Sequence, residues 1–175
     1  MSFGEAIKSV FSKYATFSGR ARRSEFWYFY LFNVLVSFVL GIIPFISTLS
    51  FLWTLAVLIP SLAVAVRRFH DIGKSGWNYL YLLIPTMLYL GYFLYFIFTE
   101  TFSYIKEGYD IDPQLISELF ASNSSSLVIM GILGIIGFIA AIVFIVWMAR
   151  DSEPGENKWG PNPKEQSETE PQNLD

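Results

Sequence analysis

The stretch that decides the fold runs from Phe26 to Val66, FWYFYLFNVLVSFVLGIIPFISTLSFLWTLAVLIPSLAVAV, and it holds no Asp, Glu, Lys, Arg or His in 41 residues. As a single helix it would reach about 60 Å, twice the roughly 30 Å of a bilayer's hydrocarbon core. It therefore reads as a hairpin of two spans. Pro44, followed by Ser47, Thr48 and Ser50, marks the turn and divides the stretch into helices over about 26–45 and 50–66. Both segments are apolar on every face rather than along one stripe, which argues against a soluble helical core.

Outward from this hairpin the same signal recurs. Charge-free stretches from Ser75 to Thr99 and from Leu119 to Ala149 each accommodate one more span, over 77–98 and 127–149. The expected fold is all-α: an integral membrane bundle of four transmembrane helices. Residues 1–163 form one membrane domain, 99–126 an outer loop, and 164–175 a disordered acidic tail. The composition agrees, with 53% hydrophobic and 15% charged residues against about 25% charged in soluble proteins.

Eleven of the 12 Lys and Arg lie before the first span, between the second and third, or after the fourth, and only Lys106 lies in the loop 99–126. By the positive-inside rule both termini are cytoplasmic and that acidic loop is outside. Trp27, Trp77 and Trp147 fall at the inner boundaries and Trp53 near the outer one, where an indole is favoured. Before the first span, Phe3, Ile7, Val10, Phe11, Tyr14 and Phe17 share one helical face. They predict an interfacial amphipathic helix over about 3–17 lying on the inner leaflet and ended by Ser18-Gly19. This segment is too spread in charge, and the span after it too long, for a signal peptide. Ser24 is the expected N-cap of the first span, with Glu25 at the positive end of its dipole. In the outer loop, Asp112-Pro113 and then Leu115, Ile116, Leu119 and Phe120 predict a short helix.

Two basic clusters face the same side of the membrane. Arg20, Arg22 and Arg23 precede the first span; Arg67, Arg68, His70 and Lys74 follow the second. Because the hairpin is short, these return beside each other and can converge on an anionic headgroup, a phosphate or an acidic partner, with Trp159 at the margin. The repulsion of so many cations must be offset by such a ligand or by the chain's own Asp151, Glu153 and Glu156. The plainer alternative is that they only set topology, with Arg67 and Asp71 as an i to i+4 pair. Gly73-Lys74-Ser75 is no phosphate-binding loop, since Phe69 stands where that motif needs glycine; Gly73 and Gly76 suit a tight turn.

Asn33, Pro60 and Pro85 form one polar layer about 10–12 Å inside the inner boundary. Pro60 and Pro85 free the carbonyls of Ala56 and Tyr81, and Asn33 is placed to satisfy one of them across helices. Gly131, Gly134, Gly137 and Ala141 make a small-residue stripe suited to close helix packing within the bundle or between copies. No cysteine and a single histidine exclude thiolate and multi-histidine metal sites. No catalytic group, cofactor or nucleic-acid surface is expected, because the net charge is −3 and no nucleophile and base are paired.

Three motifs together resemble a known family. Phe17 to Trp27 (FSGRARRSEFW), Arg67 to Trp77 (RRFHDIGKSGW) with Ile84-Pro85, and Gly155 to Pro163 (GENKWGPNP) are similar, in that order, to the YhaH-like bacterial inner-membrane family, domain of unknown function 805. The chain differs from it in a longer outer loop and in Phe69, where leucine is frequent. The resemblance implies a small multi-pass protein of the bacterial inner membrane, without an established catalytic activity. It also implies that Asn157 to Pro163 belongs to the domain and docks near the basic loops. The expected function is binding or scaffolding through a basic and aromatic cytoplasmic face, with anionic lipids as partners and a second copy or another membrane protein as a further one. A small transporter, channel or lipid-handling subunit is the alternative, and an enzyme acting on a phosphorylated lipid the third reading.

Overall fold

A computed structural model describes residues 1–42, 47–107 and 121–165, with side chains for all of these except 47, 48 and 100–107. It contains α1 (Phe3–Ser12), α2 (Arg23–Ile42), α3 (Ser47–Asp71), a 3-10 turn (Gly76–Tyr79), α4 (Leu80–Glu107) and α5 (Ser124–Ala149). The fold is all-α, and α2 to α5 are each long and apolar enough to cross a membrane. The turn at Pro44, the expected helix after Asp112 and the tail from residue 166 lie outside the described residues.

The chain divides into two compact units, Met1–Tyr79 with Ile145–Asp175, and Leu80–Phe144. In the first, α1 opens with a capping box: Ser2 Oγ accepts from the Glu5 amide at 3.4 Å, and the Ser2 amide donates to Glu5 Oε2 at 2.7 Å. This helix is shorter than its periodicity predicts, because Lys13 caps it with its amide on the carbonyls of Ser9 and Val10. Tyr14 and Phe17 thus lie beyond it. Part of its apolar side packs within the protein. Ala6 and Val10 are fully buried, and the Phe11 ring meets Phe29 and Phe32 of α2 edge-on at 5.5 and 6.3 Å.

The first span begins at Arg23, so Ser24 sits inside the first turn rather than capping it. The second span runs past Val66 to Asp71 and ends in a Schellman turn. There the Lys74 amide donates to Phe69 O at 2.9 Å and the Gly73 amide to His70 O at 3.2 Å. Gly73 takes φ +75°, which a side chain would strain, and a Cβ there would stand 2.8 Å from Glu153 Oε2. At Gly76 a Cβ would come within 2.6 Å of Val66 Cγ1, so glycine is what lets the 3-10 turn lie against α3.

Pro60 lies inside α3 and is buried. The carbonyl it frees, that of Ala56, accepts from the Tyr14 hydroxyl. Asn33 instead donates to Phe29 O in its own helix at 3.0 Å, which corrects the interhelical role expected of it. The second unit holds α4, with Pro85 inside it, and α5 as far as Phe144. Their side chains are largely exposed. A Cβ on Gly134 would touch Tyr89 Cε2 at 3.7 Å, while one on Gly131 or Gly137 would meet nothing within 4 Å; Ala141 is half-buried.

Candidate functional site

The first unit buries three arginines and two carboxylates: Arg20, Arg67 and Arg68 with Glu25 and Asp71. Charges removed from water need partners that return what hydration gave, and the chain supplies them in two different ways.

Asp71 is the centre of the first arrangement. Its Oδ1 accepts from Arg20 Nε at 3.1 Å, and its Oδ2 accepts from Arg68 Nη1 and, at 2.7 Å, from the Ser152 hydroxyl. The Arg68 to Asp71 contact is i to i+3 along α3, so Asp71 is not the partner of Arg67. Arg20 then uses the rest of its fork on backbone. Nη1 donates to Gly155 O at 2.7 Å and Gly160 O at 3.3 Å, and Nη2 to Asp71 O at 3.3 Å and Glu153 O at 2.5 Å. With Nε on Asp71, all five of its donors are placed.

Arg68 works as a cap for another helix. Its Nε donates to Met148 O at 3.1 Å and its Nη2 to Arg150 O, where α5 ends. Trp27 Nε1 shares Met148 O at 3.3 Å, and Arg23 Nη1 reaches Ala149 O at 3.4 Å. The terminal carbonyls of a helix lack intrahelical donors and carry the negative end of its dipole, so cations there satisfy both needs.

These bonds hold the tail as a strap. The Glu153 amide donates to Asp71 O at 2.8 Å, and Asn157 Nδ2 donates to His70 O at 3.0 Å. The Trp159 ring stacks on the His70 ring at 4.5 Å and 9°. His70 Nδ1 lies 3.1 Å from Gly19 O; a carbonyl only accepts, so Nδ1 carries the proton. Asn157 and Gly160 close the strap with a mutual backbone bridge, and Arg22 donates to Pro163 O.

The second arrangement is smaller. Arg67 Nη1 donates to Glu25 Oε1 at 2.8 Å, and the Ser9 hydroxyl of α1 donates to the same oxygen at 3.2 Å. Arg67 O accepts from the Ala21 amide at 3.0 Å. One carboxylate thus ties α1, α2 and α3 together.

Of the residues expected to share one anion site, the structure brings Arg20 and Arg68 to Asp71, His70 to Trp159, and Arg67 to Glu25. Lys74 lies elsewhere, with its amine 4.8 Å from the Trp147 ring centroid. Arg23 makes an exposed ion pair with Asp151 at 3.5 Å. Asp151 also accepts from Lys164, and that bond is the first cause of a carboxyl held below its ordinary range. Glu25 and Asp71, read from sequence as a dipole acid and a local partner, are the main counter-charges. Their signal is position, since they are the first acids on either side of the charge-free stretch 26–66. Among the described residues, no group of three or more His, Cys, Asp or Glu could hold a metal ion.

A family profile described as "Protein of unknown function (DUF805)" matches residues 14–105. The chain is 37% identical over 107 residues to inner membrane protein YhaI of Escherichia coli strain K12, covering 58% of this chain and 91% of that protein. It is 35% identical over 98 residues to inner membrane protein YhaH of the same strain, covering 51% of this chain and 78% of that one. No solved structure matches. The profile spans all the buried charges and both α2 and α3, and ends before α5 and the strap.

Proposed function

Because the chain belongs to the DUF805 family, and its relatives YhaI and YhaH are inner membrane proteins, we propose that it is a multi-pass inner membrane protein that works by binding. Its cytoplasmic face acts as a scaffold that rests on anionic headgroups. The observation that carries this reading is the use of Arg20 and Arg68 on the chain's own carbonyls and carboxylate. Those guanidinia stiffen the face instead of meeting a partner. Contact then falls to exposed cations, among them Lys8, Lys13, Arg150 and Lys158, and to the indole of Trp77, which is 79% exposed. Each cation near an anionic surface contributes about 1 kcal/mol.

Native mass spectrometry of protein extracted in phosphatidylglycerol tests this. Replacing Lys8, Lys13 and Arg150 with Gln should lower the retained anionic lipid severalfold, and added salt should narrow the difference. Retention unchanged by the triple substitution would overturn this reading.

A further inference from the structure

The buried guanidinia use their donors very unequally. Arg20 places all five, and each nitrogen of Arg68 meets an oxygen. Arg67 gives Nη1 to Glu25, while its Nε and Nη2, both sealed from solvent, meet no acceptor among the described residues. A buried donor without an acceptor is costly, and more so on a charged group.

Three features point to what fills that edge. Nε and Nη2 form the side of a guanidinium whose parallel N–H bonds match two oxygens of one oxyanion. The buried charges number three arginines against two carboxylates, leaving one positive charge in excess among the described residues; water would accept the hydrogen bonds and leave that charge. Finally, Arg67 is the first charged residue after the stretch 26–66, which puts it at the edge of the hydrocarbon, where headgroup phosphates lie.

We propose that the Nε and Nη2 edge of Arg67 binds one phosphate-class oxyanion, either the phosphodiester of a lipid headgroup or free phosphate. This deepens the binding reading above and rests on the same membrane setting, but it names a single buried site apart from the exposed cations.

The test uses the full chain with 15N-labelled guanidinia, in phosphatidylglycerol nanodiscs and, separately, in lipid-free detergent with added inorganic phosphate. Magic-angle-spinning measurement of 15N dephasing by 31P reads hydrogen-bonded contact. Dephasing in nanodiscs alone assigns the lipid, and dephasing with added phosphate in detergent assigns the free ion. Arg67→Lys keeps the charge and lacks the edge, so in a chain whose Arg22, Arg23 and Arg150 are already Lys, which removes the label from the exposed guanidinia, it should abolish the signal and weaken phosphate binding at least about tenfold. Lys8→Gln with Lys13→Gln tests the exposed cations and should leave this signal intact, so either reading can fail without the other. No dephasing in either medium, or equal dephasing in Arg67→Lys, overturns the proposal. Should Arg67→Lys fail to fold, a chain with Arg22, Arg23 and Arg150 replaced by Lys leaves only the three buried guanidinia labelled, and silence there is equally decisive against it.

Discussion

Asp71 holds two guanidinia and a hydroxyl on two oxygens, so no other side chain in the cluster answers for as much buried charge. Removing its charge leaves Arg20 and Arg68 without their carboxylate, and breaking a buried pair in this way costs about 3–5 kcal/mol. Asp71→Asn should therefore lower the melting temperature in detergent sharply and open residues 151–163 to protease; a tail that stays resistant would show that carbonyls alone hold it. Tyr14 tests a subtler debt. Its hydroxyl answers the Ala56 carbonyl that Pro60 leaves without a helical donor, so Tyr14→Phe should cost about 1–3 kcal/mol. In a Pro60→Ala background the amide returns and the same substitution should cost much less, a coupling that a double-mutant cycle measures directly.

At the scale of the element, the helix ends carry the site. The Schellman turn of α3 directs Lys74 back along the chain, and the 3-10 turn then lies on Val66 at a distance that only a hydrogen permits. Val66 is β-branched and stiff in its helical rotamer, so it yields little. Gly76→Ala should therefore destabilise the protein by about 1–3 kcal/mol through overpacking, read as a loss in unfolding midpoint. If the midpoint holds, α3 and the turn slide apart without cost. The spans themselves were legible because hydrocarbon tolerates no charge, and absence of charge is visible in any single chain. Their ends were less so. Apolar periodicity continues through Tyr14 and Phe17, so it could not reveal that Lys13 stops α1. Placing the end of the second span at Val66, instead of Asp71, hid the turn of helix that carries Arg67 toward Glu25 and Arg68 toward Asp71. Local spacing favoured an Arg67 to Asp71 pair, whereas Arg67 finds its partner 42 positions away and Asp71 pairs with Arg68 three positions away and with Arg20 at 51.

For the whole molecule, the distribution of Lys and Arg supports both termini on the cytoplasmic side. Single cysteines at Ser9, Ser75, Ser103 and Ser167 should then react with an impermeant thiol reagent from outside only at Ser103, and outside labelling at Ser75 would reverse the frame. The convergence of the two basic segments was readable from the shortness of the hairpin, but its chemistry was not. The acceptors are mostly backbone carbonyls of residues 148–160, and a carbonyl is the same in every residue. That dependence on the strap sets an order in time. Arg20 leaves the ribosome long before the oxygens that receive it, so throughout synthesis its donors must be lent to water or to headgroups. Only when residues 153–160 have emerged can Arg20 place all its donors as it does in the folded chain. A chain cut before Glu153 thus leaves three of the five Arg20 donors without the carbonyls that receive them.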